Sequence, residues 1–216
     1  MRRRWVGMLL VTAMLGLSLW AYPQLPERMP THWNVRGEVD GWSGRWAVFM
    51  QPAMALVLMV LLPLLRKIDP RRENYARFEP TFWLLINLVV GFLLIVHVMM
   101  IGSALGWPLP PTDVVVMMAV GVLLIMLGNY LPRVRSNWWM GIRTPWTLSS
   151  ERVWRSTHRL GGRTFVLGGL ILLASPLLPA SVRGYAIITA VTVSALIPAV
   201  WSYIDWRREA REAREA

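Results

Sequence analysis

The amino-acid sequence predicts an all-α integral membrane protein: six transmembrane helices, both ends in the cytoplasm. Three observations predict it. Apolar residues make up 55% of the 216 and charged residues only 16%. They come in blocks with the charges between them, the pattern forced by a hydrocarbon interior in which free charge is costly. Six of the blocks approach the roughly 20 apolar residues that a spanning helix needs. Nineteen of the 23 Lys and Arg residues fall in alternate inter-block segments, and the positive-inside rule makes those segments cytoplasmic.

The spans fall near 5–22, 46–65, 81–105, 112–131, 163–179 and 185–204. The first follows Arg2, Arg3 and Arg4 as a signal peptide would. It ends in Trp20-Ala21-Tyr22-Pro23 without a small-x-small cleavage site, so it reads as a retained anchor. The fifth has the shortest apolar run, Phe165 to Leu178. Pro52, Pro63, Pro176 and Pro198 are expected to kink or end their helices. Within span three, Asn87 and His97 are ten residues apart, about 80° short of three turns, so they do not share one narrow stripe. Hydrogen bonding between helices is the expected role of both.

Two segments are longer than turns. In the outer loop 23–45, Pro23, Pro26 and Pro30 exclude a helix interior, and Gly37 and Gly41 mark turns. There Asn34 and Asp40 are expected to bond to backbone, and a nitrogen–oxygen metal site from His32, Glu38 and Asp40 is the weaker reading. The inner loop 132–163 ends in an amphipathic helix capped by Ser149 or Ser150. Arg152, Arg155, Arg159 and Arg163 form one stripe, opposite Val153, Trp154, Thr157 and Leu160. Such a helix suits the inner headgroup layer with Trp154 buried. His158 then reads as a surface histidine. Asn129 is expected to satisfy backbone near Pro132 or to bond to the Arg143 loop. The tail from Arg207 repeats Arg-Glu-Ala and is expected to extend the last helix into solvent.

The absence of cysteine excludes disulfides, thiolate nucleophiles and Cys-based metal centres. No P-loop, GxSxG, HExxH or paired carboxylates appear, and the spans hold almost no acidic residues. The sequence therefore indicates neither enzyme, cofactor nor metal. The formal charge of +11 is read as orientation and attraction to anionic lipid, without direct nucleic-acid binding. The chain divides into 1–65 with the outer loop, 66–110 around span three, and 111–216 with the inner loop.

The most specific signal is a string of motifs. Gly128-Asn129-Tyr130-Leu131-Pro132 is followed by Asn137, Gly141-Ile142-Arg143-Thr144-Pro145-Trp146-Thr147-Leu148, then Val153-Trp154 and Thr157-His158-Arg159. These resemble the SdpI family of bacterial immunity membrane proteins. The outer loop, through Pro30, His32-Trp33-Asn34, Gly37 and Asp40-Gly41, resembles the domain of unknown function that often precedes it. The resemblance implies a multi-pass protein of the bacterial plasma membrane that confers resistance to a secreted, membrane-active peptide toxin. It also implies relay to a small cytoplasmic repressor. The partners it points to are the bilayer, a peptide toxin outside, and a repressor or anionic lipid at the cytoplasmic face. The candidate binding residues are the inner-loop motif positions, with Arg143 read either as a buried phosphate- or partner-binding arginine or as a structural one. The outer-loop positions are the candidates for sensing. A transporter or lipid-handling protein of envelope homeostasis is the alternative.

Overall fold

Every apolar block forms a helix in the computed structural model, which describes residues 2–215. The order is α1 (Arg2–Ala21), β1 (Arg28–Trp33), β2 (Val39–Gly44), α2 (Met50–Ile68), α3 (Glu79–Ala104) and α4 (Thr112–Tyr130), then α5 (Pro145–Ser149), α6 (Glu151–Ala174), α7 (Ala180–Val191) and α8 (Ile197–Glu215). Among the described residues, six helices are long and apolar enough to cross a membrane. The chain is a multi-pass membrane protein. Leu9, Val57, Leu61, Leu167, Ile188 and Val191 stand exposed on the helices. Such residues would be a liability in water and are the expected contact with lipid chains.

The amino-terminal half is built on α1, α2 and α3. Val11, Met14, Ala55, Met59, Phe82, Ile86 and Val90 form its core. His97 of α3 is buried against α1, with Nε2 3.2 Å from both Ser18 Oγ and the Met14 carbonyl. Asn87 also faces α1, because a side chain on Gly7 would meet its Oδ1 at 2.6 Å. The 80° offset between Asn87 and His97 thus still lets both polar groups meet one neighbouring helix.

The carboxy-terminal half rests on a close backbone contact between α4 and α6. Where α4 meets antiparallel α6, a Cβ on Gly128 would lie 2.6 Å from the Gly162 carbonyl oxygen, and one on Gly162 would lie 2.8 Å from that of Gly128. Gly121 and Gly169 repeat the arrangement one heptad away, at 2.9 and 2.5 Å. Small residues let backbones approach where lipid supplies no hydrophobic drive between helices.

Two expectations are corrected. The amphipathic segment is not a separate helix in the headgroup layer. Ser150 caps it by accepting the Val153 N–H at 3.2 Å, and α6 then runs unbroken from Glu151 to Ala174, merging it with span five. Its arginines are exposed as expected, but Val153, Trp154, Thr157 and His158 are buried against protein. The Trp154 indole donates to the Val134 carbonyl at 2.9 Å, which ties this face of α6 to the 131–150 segment. The outer loop is not merely turns but a two-stranded antiparallel hairpin. The tail extends α8 to Glu215 as an exposed helix end, as expected, and its Glu212 pairs with Arg152 at the surface. Before Pro198 a π-helical turn spans Thr192–Leu196, which accommodates a residue without an N–H.

Candidate functional sites at the two ends of the bundle

The motif string folds into a buried knot where the 69–78 and 131–150 segments meet. Its centre is Asn137, which has no exposed surface. Its Nδ2 donates to the carbonyls of Arg135 and Met140 at 2.8 and 2.9 Å. Its Oδ1 accepts from the N–H groups of Trp139 and Met140 at 2.9 and 2.7 Å. One carboxamide therefore satisfies both sides of a turn that carries no regular structure. Tyr75 donates from its hydroxyl to Asp69 Oδ2 at 2.8 Å and lies 3.2 Å from Asn137 Oδ1. Burial and the Asp69 carboxylate hold this phenol above its ordinary range, so it stays a donor. Asp69, 2% exposed, also accepts from the N–H groups of Arg71 and Trp138 at 2.7 and 2.9 Å. Arg71 reaches Ser136 Oγ and, at 2.5 Å, the Leu148 carbonyl.

Gly141 and His158 form the second fixed point. Gly141 has φ +109°, and a Cβ there would lie 2.4 Å from His158 Nε2. His158 Nε2 accepts the Ile142 N–H at 3.1 Å, and Nδ1 lies 2.8 Å from the Trp154 carbonyl. A ring that accepts at Nε2 is the neutral tautomer protonated on Nδ1. The ring stacks on Trp154 at 4.1 Å between centroids. The reading of His158 as a surface residue is therefore overturned: it is 1% exposed, because the loop backbone needs its two nitrogens.

Thr144 and Thr147 form a reciprocal capping box at the start of α5, with Pro145 in the first turn, where its missing N–H costs nothing. Thr144 Oγ1 also meets Ser202 Oγ of α8 at 2.9 Å, and Trp146 packs on Tyr203 at 4.9 Å. Arg143, expected buried under one reading, is exposed and donates to the Trp138 carbonyl at 2.7 Å. Asn129 is exposed and donates to the Ile125 carbonyl of its own helix at 2.8 Å. Pro132 and Arg159 are exposed. Directly beneath it, Met140, Gly141 and Ile142 roof an apolar cavity of about 260 Å³ between α2, α3, α4 and α6.

The opposite end carries the hairpin. Pro30 and Met29 are buried, and Met29 packs with Leu25, Val48 and Met100 against the ends of α1 and α3. Pro30 pairs with Trp42 and His32 with Gly41, so Thr31 is the extra residue of a bulge. A Cβ on Gly41 would lie 2.7 Å from that of His32. As expected, Asn34 organises the turn: its Oδ1 accepts from the N–H groups of Arg36 and Glu38 at 2.9 and 3.1 Å, and Gly37 takes φ +77°. Asp40, expected to bond to backbone, instead meets His32 Nδ1 at 2.5 Å. Glu38 turns away to Asn34 Nδ2 and Arg36. The turn docks on the start of α4, where Gly37 approaches the Asp113 N–H. Asp113 in turn pairs with Arg183 of α7 at 2.6 Å. Between hairpin, α4 and α7 lies a cleft of about 500 Å³, lined among others by His32, Trp33, Asn34, Asp113, Met117 and Ile187.

Residues 133–202 match the SdpI/YfhL protein family, and residues 9–56 match a domain of unknown function (DUF1648). The chain is 26% identical over 172 residues to "Immunity protein SdpI" of Bacillus subtilis (strain 168), covering 80% of each chain. No solved structure matches it. The first match spans most of the buried knot and the second spans the hairpin. The chain is thus similar to the SdpI/YfhL family over the segment that folds into most of the knot, and to DUF1648 over the segment that forms the hairpin at the other end of the bundle.

Proposed function

We propose that this is a non-enzymatic immunity protein of the bacterial plasma membrane that neutralises a secreted, membrane-active peptide. The similarity to Immunity protein SdpI over 80% of both chains carries the reading. The charge asymmetry of the inter-helix segments assigns the hairpin end to the outer face, where a secreted peptide arrives. The hairpin cleft offers such a peptide an apolar floor from Met117 and Ile187 beneath a polar rim from His32, Asp40 and Asn34. Occupancy is relayed to a small cytoplasmic repressor along α4. That helix starts at the cleft with Asp113, ends beside the knot, and is locked to α6 by the two glycine pairs.

The test is binding of an SDP-type peptide to the purified protein in nanodiscs, comparing the intact chain with Trp33→Ala. Saturable binding weakened by the substitution is expected. Equal binding by both forms would remove the cleft from the mechanism. Lipid handling is the second reading, favoured by the apolar cavity under the knot. Lipid flux in proteoliposomes would separate it from immunity.

A further inference from the structure

On the cytoplasmic side, beside the buried knot, Pro132, Arg135, Arg152, Arg155, Ser156, Arg159 and Asp205 line a cleft of about 480 Å³. All four guanidinium groups belong to exposed residues. Glu212 of the tail pairs with Arg152, and Arg155 bonds through Nε to the Glu151 carbonyl of its own helix at 3.3 Å. Arg135 and Arg159 have no side-chain partner among the described residues. Asp205, 6% exposed, accepts from the Ser156 hydroxyl at the wall of the cleft. Four cations against the carboxylates of Asp205 and Glu212 leave an excess of two positive charges in one concavity.

The depth of the cleft is marked independently. Trp201 of α8 points its indole N–H at Ser156 Oγ, 3.4 Å away, and Arg208 lies over its ring at 5.3 Å. Tryptophan with a guanidinium on its face and a polar partner at its edge is the signature of the headgroup layer. Within α6 the apolar run begins just past Arg163, one turn beyond Arg159. The cleft therefore opens where lipid phosphates lie, and guanidinium groups are the side chains best matched to a phosphate.

We propose that this cleft binds the phosphate of an anionic phospholipid of the inner leaflet, with Arg135, Arg155 and Arg159 as its ligands. The Glu212 carboxylate occupies the adjoining Arg152, so the tail sets how many guanidinium groups the lipid meets. The inference deepens the reading of the cytoplasmic face and does not depend on toxin binding.

The test uses the full chain in detergent, with thermal unfolding followed on titration of phosphatidylglycerol, phosphatidylcholine or inorganic phosphate. Three forms are compared: the intact chain, Arg135→Gln/Arg159→Gln, and Arg72→Gln/Arg77→Gln, which removes the same charge from exposed positions outside the cleft. Phosphatidylglycerol should stabilise the intact chain and the Arg72/Arg77 control alike, and act about tenfold more weakly on the cleft variant. Phosphatidylcholine and inorganic phosphate should act weakly on all three. Equal stabilisation by phosphatidylcholine would overturn the proposal, as would full stabilisation by inorganic phosphate. Equal loss in the Arg72/Arg77 control would show diffuse charge attraction and overturn it as well.

Discussion

Replacing Gly128 with alanine should separate α4 from α6, although the same change in most helices stabilises. The new Cβ would lie 2.6 Å from the Gly162 carbonyl oxygen and 2.9 Å from Phe165 Cβ. A carbon–oxygen contact relaxes to about 3.3 Å, so the helices must part by about 0.7 Å. The obstacle is backbone, which cannot rotate away. Overpacking of this kind costs about 1–3 kcal/mol, opposed by up to about 1 kcal/mol of gained helix propensity. Gly91, inside α3, supplies the control: a Cβ there meets nothing within 4 Å, so Gly91→Ala should be neutral or stabilising. Gly162→Ala meets the Gly128 carbonyl from the other side at 2.8 Å. One outward shift relieves both clashes, so the double variant should cost less than the sum of the singles. Thermal unfolding of the purified protein is the assay, at about 2–4 °C per kcal/mol for a chain of this size. Gly128→Ala and Gly162→Ala melting at or above the Gly91→Ala variant would refute the close-contact reasoning.

Gly141→Ala should be among the most damaging single changes, because φ +109° and the 2.4 Å approach to His158 Nε2 act together. The yield of folded protein after gel filtration measures it, and a normal yield would contradict the geometry. Asp69→Asn places an amide where one oxygen accepts both the Tyr75 hydroxyl and the Trp138 N–H. It should cost about 1–3 kcal/mol in thermal unfolding, and an unchanged midpoint would contradict that role. His158→Phe keeps a ring against Trp154 but leaves the Ile142 N–H without its acceptor, so it should destabilise where a purely packing histidine would not. Arg143→Ala removes an exposed side chain that, among the described residues, bonds only to the Trp138 carbonyl, so membrane abundance should hold while protection or signalling falls. Normal protection by that variant would remove Arg143 from the functional surface.

The spans were legible because hydrocarbon leaves one solution: an apolar run of about 20 residues whose backbone satisfies itself as helix. Positive charges between the runs give the expected orientation by the positive-inside rule. Asn34 and Gly37 could be read as a turn because their chemistry is local. What sequence reasoning missed was set by distant partners. The stripe of Arg152, Arg155, Arg159 and Arg163 gave the exposed face of α6 correctly, but amphipathicity does not say whether the other face meets lipid or protein. Val134 and Ile142, far along the chain, decided that through Trp154 and His158. Arg71 was read only as an orientation charge, and Asp69 and Tyr75 were not singled out. The one acidic residue before Pro70 in a basic segment was the available signal. The glycine pairs had a signal too, since Gly121 and Gly128 share the seven-residue spacing of Gly162 and Gly169. The hairpin was hidden because bulged six-residue strands rich in Pro, Gly and Trp carry little alternation.

Survival of a toxin-sensitive strain under an SDP-type peptide, with and without this protein at verified membrane abundance, tests the central claim most directly. Protection by the intact chain, weakened in Trp33→Ala at equal abundance, is the predicted result. Killing unchanged by the intact chain, across every SDP-type peptide tried, would contradict immunity and leave the six-helix membrane fold standing.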